Sequence, residues 1–117
     1  MTFSLRVEMP LRLQSKLNQR QCWQARSRTA KAEREAGYLL TPRSGWSLPC
    51  IITLTRIAPR AWDCDAVPGG FKSVRDGIAD RLGVKDNDSR IVWRYRQERG
   101  KPKQYAVVVQ FEPGEGA

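Results

Sequence analysis

Histidine is absent from this 117-residue chain, and the absence excludes a large share of enzyme chemistry. A Ser-His-Asp triad, a Cys-His dyad, an HExxH zinc site and a Cys2His2 finger each need an imidazole, so none can be built here. Cysteine is scarce as well. Cys22, Cys50 and Cys64 are odd in number and widely spaced, which fits neither a CxxC metal pair nor a disulfide framework and reads as reduced thiols in a cytoplasm. No window approaches the roughly 18 consecutive apolar residues of a membrane span. Met1 to Glu8 also lacks the basic start, apolar middle and small-residue cleavage site of a signal peptide. A cytoplasmic protein with no membrane partner is the expectation. Aspartate, finally, is missing from the first 60 residues.

Positive charge is what the chain has in excess: 21 Lys and Arg against 12 Asp and Glu give a net charge of +9. Residues 1–60 carry 11 Lys/Arg and three Glu, residues 61–93 five Lys/Arg and six Asp, and residues 94–117 five Lys/Arg and three Glu. All six aspartates therefore lie between Asp63 and Asp88. A basic body around one acidic cluster suits a protein that attracts polyanions while holding divalent cations at one place. It equally suits a basic protein whose aspartates fill caps and turns for local reasons.

The apolar pattern predicts one α/β domain over residues 1–117, with 112–117 a flexible Gly-rich tail. Thr2 to Met9 alternates with period two and reads as a strand ended by Pro10. Gln21 to Leu40 has the composition of a helix, which Gly37 and then Thr41-Pro42 weaken and stop. Trp23, Arg26, Ala30 and Arg34 follow its helical spacing. Cys50 to Ala58 is β-branched and predicts a second strand closed by Pro59. Pro68-Gly69-Gly70 is expected to break the backbone before a helix over Phe71 to Leu82, with Phe71, Val74, Ile78 and Leu82 on its buried side and Gly83 as terminator. Ser89 to Gln97 predicts a third strand, and Gln104 to Phe111 a fourth, expected to be its hairpin partner. The order is β-α-β-α-β-β: a four-stranded mixed sheet with two helices. A core this small leaves no deep substrate cavity, so a large ligand held on the surface is expected.

Chemistry concentrates in the acidic cluster. Asp63 and Asp65 follow a strand and its proline, and in extended chain residues two apart point the same way and can share a cation. Asp88 opens the third strand and would approach the pair if that strand lay beside the second. Three carboxylates make a hard-oxygen site for Mg²⁺ or Mn²⁺, able to activate water for phosphodiester cleavage. Lys72, at the first turn of the second helix, is placed to neutralise charge on the phosphate. The plain alternative is loop carboxylates at Asp63 and Asp65, and a turn residue or an ion pair with Arg90 at Asp88. Asp76 and Asp80 read as a solvated helix face. For nucleic-acid binding the candidates are Arg20, Arg26, Arg28 and Lys31 around the first helix, Arg60 and Arg75 flanking the acidic pair, and Arg94 and Arg96 on one face of the third strand.

The run WDCDAVPGGFKSVRDGIADRLGVKDNDSRIVWRY resembles the signature of the RusA-type Holliday junction resolvases of prophages and bacteria: a DxDN motif, a lysine on the next helix, and a later aspartate opening a strand. The similarity is strong over residues 60–95, and LNQRQCWQARSR is more loosely similar to the Asn/Arg-rich segment before the family's first helix. The resemblance implies a small α/β endonuclease that acts as a homodimer with Mg²⁺ and makes paired nicks across branched DNA, with no small-molecule cofactor. It carries the metal-binding and catalytic roles to Asp63, Asp65 and Asp88, and the essential lysine to Lys72. Two positions depart from the pattern: Ala66 stands where the motif has Asn, and Pro-Gly-Gly lengthens the interval to Lys72. A catalytically inactive DNA- or RNA-binding protein of phage origin with the same fold is the alternative expectation.

Overall fold

The period-two segment at the N-terminus forms strand β1 (Leu5–Met9), its residues alternating between half-buried and exposed. The computed structural model describes residues 4–13 and 23–114, and the side chains of all of these except 23–27. After β1 come α1 (Trp23–Leu40), β2 (Cys50–Ala58), the short α2 (Ala66–Gly70), α3 (Lys72–Leu82), β3 (Ile91–Arg99) and β4 (Ala106–Pro113). They build the expected α/β architecture around one four-stranded mixed sheet. One short helix is added. Pro68 and the two glycines after it do not break the chain but belong to α2, because a proline in a first helical turn loses no backbone bond. Gly70 lets that turn press on Trp62, whose ring occupies the space a Cβ would fill.

The sheet order is β1-β4-β2-β3, with β4 antiparallel to both neighbours and β2 parallel to β3. The expected β3–β4 hairpin does not form. After β3, the Gly100 N–H donates to the Ala58 carbonyl at 2.9 Å, and the chain crosses the end of β2 before entering β4. Burial gives the reason. Ala106 to Val109 are buried on both faces, whereas β3 alternates and keeps Val92, Arg94, Arg96 and Glu98 exposed. A run that is apolar on both faces belongs in the middle of a sheet, and a strand with charges on one face tolerates the edge.

The three helices among the described residues lie on one side of the sheet. There Phe71, Val74, Ile78 and Leu82, the predicted stripe, pack with Ile52 and Leu54 of β2 and Val107, Val109 and Phe111 of β4. A smaller cluster of Ile57, Ala106 and Val108 lies on the opposite face. Helices α1 and α3 meet backbone to backbone, since a Cβ on Gly37 would strike the Val74 carbonyl and one on Gly77 the Arg34 carbonyl. Gly37 is thus a packing notch inside α1, which ends before Thr41-Pro42 as expected. The helix runs on to Leu40, and the Thr41 hydroxyl donates back to the Gly37 carbonyl at 2.9 Å. Gly83 ends α3 as predicted, in the left-handed conformation with φ 75°. Among the described residues no helix is long and apolar enough to cross a membrane.

Candidate nucleic-acid interface

The loop leaving β2 folds back along the open edge of β3. Trp62 and Gln97 fix it there: the Trp62 N–H donates to Gln97 Oε1 at 2.8 Å, and Gln97 Nε2 donates to the Trp62 carbonyl at 2.9 Å. Cys64 then lines one cavity with Arg94, Arg96 and Glu112, which puts Asp63 and Asp65 beside the C-terminal half of β3. Both are exposed, and among the described residues neither has an ion pair or a side-chain hydrogen bond. The extended geometry expected of the pair is not what forms. The Ala66 N–H donates to the Asp63 carbonyl at 2.9 Å, and Asp65 adopts a helical φ of −69° and ψ of −22°. Residues two apart across a helical turn do not face each other, so the geometric ground for a shared face is gone.

Asp88 stands elsewhere. Strand β3 does lie beside β2, but in parallel, with Ile91 level with Cys50 at the start of both strands. The acidic loop leaves β2 from the other end and returns along β3, where Cys64 shares a cavity with Trp93, Arg94, Tyr95 and Arg96. Two residues of strand, from Trp93 back to Ile91, span about 7 Å. Arg90 takes both oxygens of the Asp88 carboxylate, from Nε at 3.0 Å and Nη2 at 2.8 Å, and its backbone N–H adds a bond of 2.9 Å. Those bonds hold the Asp88 carboxyl down at about 2. Among the described residues no group of three or more His, Cys, Asp or Glu is placed to hold a metal ion. The expected three-carboxylate set therefore does not fit as arranged. Asp63 and Asp65 have uncommitted carboxylates of the kind Mg²⁺ takes, and Asp88 does not while Arg90 holds it.

The basic candidates divide in the same way. Arg94 and Arg96 are exposed, without an ion pair among the described residues, and lie in register with Thr53 and Thr55 on the face away from the helices. Lys72 is exposed at the start of α3, Arg28 and Lys31 are exposed on α1, and Arg60 is exposed after β2. Arg20 and the side chain of Arg26 lie outside the described residues. Arg75 departs from its expected role. Its guanidinium lies 4.6 Å from the ring centre of Trp93, donates to the Tyr95 hydroxyl at 2.8 Å and to the Asp86 carbonyl at 3.2 Å, and stands 3.7 Å from the Asp86 carboxylate. That is a tie between α3 and β3, and the one nitrogen left without a partner, Nε, is buried rather than open to a phosphate. Asp80 likewise pairs with Arg34 at 2.7 Å across the α1–α3 contact.

Sequence reasoning missed Arg12, Arg56 and Tyr105. Arg56 continues the inward-facing series Ile52, Leu54 on β2 and is buried. A charge at a core-facing position of a strand was the available signal, since such residues are rarely buried without a partner. No protein-family model matches this chain, and no curated protein matches it.

Proposed function

We propose that the protein is a structure-specific DNA endonuclease of the RusA type, acting on four-way junctions or other branched DNA as a Mg²⁺-dependent homodimer. The observation that carries this proposal is the edge of β3, where the uncommitted carboxylates of Asp63 and Asp65 flank a residue that shares a cavity wall with Arg94 and Arg96. Arginines there would hold a phosphodiester while the carboxylates hold a cation beside it. Mg²⁺ commonly takes only one or two protein carboxylates and completes its shell with water and phosphate oxygens, so either Asp63 or Asp65 would suffice to hold it. The bound ion would activate water and stabilise the leaving oxygen. Lys72 would neutralise charge at the phosphate, and Asp88 would join only on release from Arg90. A junction is two-fold symmetric and needs two nicks, which two identical subunits supply.

A second proposal, a DNA- or RNA-binding protein without nuclease activity, is favoured by one specific observation: Asp88 is neutralised by Arg90 and lies apart from the acidic pair. One experiment separates the two. The protein and its Asp65→Asn variant are incubated with an end-labelled four-way junction and a matched linear duplex, in Mg²⁺ and in EDTA. Paired nicks confined to the junction, and lost in EDTA and in the variant, are the outcome expected of the nuclease. Junction binding without nicks would assign the non-catalytic function. Failure to bind any nucleic acid would reject both.

A further inference from the structure

Arg56 is 7% exposed, a buried cation near the end of β2 that has no ion-pair partner among the described residues. Its guanidinium stacks 3.9 Å from the ring centre of Trp62. Nη1 donates to the Arg60 carbonyl at 2.7 Å and to Gln97 Oε1 at 3.2 Å, both neutral acceptors. Among the described residues it forms no ion pair and no further hydrogen bond. Burial pushes its pKa below the ordinary arginine value, and the nearby Arg12 cation pushes the same way against Tyr105.

A cavity of about 460 Å³ opens onto this group. Arg12, Arg56 and Arg60 line it with Trp62 and Tyr105, the remaining walls are apolar, and no Asp or Glu is among them. Arg12 is itself stacked on an aromatic ring, 4.5 Å from the centre of Tyr105. Three guanidinium groups around one space repel each other unless something negative lies between them. Ring stacking holds two of them in fixed planes, so little freedom is lost when an anion arrives. The planar forks match the oxygens of a phosphate.

We propose that this cavity is a phosphate site that takes one backbone phosphate of a nucleic-acid strand between Arg12, Arg56 and Arg60. Its phosphate chemistry follows from the cavity alone; the strand as its source rests on the function proposed above. A polymer fits better than a free ion because a second cavity of about 510 Å³ adjoins the first through Pro59, Arg60 and Ala61, and its lining adds Arg99 together with Gln97 and the carboxylate of Glu98, which gives the chain room to continue on the Arg99 side. The site is separate from the cavity bearing Arg94 and Arg96, so a bound strand would touch the domain at two places.

The test uses the exposed members, Arg12 and Arg60, so that folding is not at stake. Thermal unfolding is followed with and without inorganic pyrophosphate, and anisotropy of a labelled four-way junction is followed over a salt series, for the wild type, an Arg12→Ala/Arg60→Ala variant and an Arg94→Ala/Arg96→Ala variant. Pyrophosphate should raise the wild-type Tm, as any ligand of the native state does. The Arg12/Arg60 variant should lose that rise, bind the junction about tenfold more weakly and show a salt slope smaller by about 1 to 2. The Arg94/Arg96 variant should keep the pyrophosphate response. No pyrophosphate response in the wild type, together with unchanged junction affinity and slope in the Arg12/Arg60 variant, would overturn the site. Loss of the pyrophosphate response with junction binding unchanged would retain the phosphate site and overturn the strand as its source. If the wild type binds no DNA, the proposed function fails while the pyrophosphate arm still decides the cavity.

Discussion

Arg75 and Arg56 are assembled from the same parts and end in opposite electrostatic states. Each guanidinium stacks on a tryptophan, Trp93 in one case and Trp62 in the other, and each donates to a backbone carbonyl. Each also meets a polar side chain of β3, Tyr95 or Gln97. What differs is the countercharge: Arg75 has the Asp86 carboxylate at 3.7 Å, and Arg56 has none among the described residues but faces Arg12 across a cavity. A neutralised arginine is a structural tie, and an unneutralised one is a place where an anion is missing. Stacking geometry alone does not separate the two cases; the neighbouring charge does.

Removal of each guanidinium is the sharpest way to break that comparison. Arg75→Met deletes a cation–π contact and two hydrogen bonds and strands Asp86 in a half-buried position, so a loss of about 2–4 kcal/mol is expected in urea unfolding. Arg56→Met deletes similar contacts but also removes a buried unpaired charge, and the two changes offset to about 1 kcal/mol or less. Equal losses in the two variants would show that Arg56 is held for its stacking alone. Next in size, Tyr95→Phe removes only the hydroxyl that Arg75 Nη1 bonds, and about 1 kcal/mol is expected. Asp86→Asn comes after it at about 0.5–1 kcal/mol, since that pair is partly exposed; a larger loss would mean that the countercharge dominates the Arg75 cluster.

The same distinction decides how much was legible in the sequence. The stripe Phe71, Val74, Ile78, Leu82 and the alternation of β3 follow from periodicity, and both appear as predicted. The place of β4 was legible in principle, since Ala106 to Val109 have no polar member, yet the short Gly100 connection suggested a hairpin instead. Periodicity carries no information on which residue neutralises which. The i, i+2 spacing of Asp63 and Asp65 implies one face only in extended chain, and the helical turn that α2 imposes removes it. Arg75 looked like a free cation because its partners Tyr95 and Asp86 are 20 and 11 residues away. Asp88 and Arg90 are two residues apart, and their pairing was one of the alternatives open from sequence.

That local pair supplies the smallest expected effect. Asp88 has its carboxyl at about 2 in the folded protein against an ordinary 3.8. A lowered folded value means that the ionised form is favoured by folding, so its contribution is present above about pH 4 and is lost as the pH falls toward about 2. The pair is open to solvent and salt-screened, so the change in acid stability should be slight, while the chemical shift of the Asp88 carboxyl carbon should titrate well below those of model aspartates. Raising the salt concentration should move that midpoint upward. Binding of Mg²⁺ at Asp88 would require Arg90 to let go, and a carboxyl signal that stays fixed during a Mg²⁺ titration while those of Asp63 and Asp65 move would assign the cation to the loop pair alone. Movement of all three would mean that the ion competes successfully with Arg90, and that the distance between Asp88 and the loop closes on metal binding.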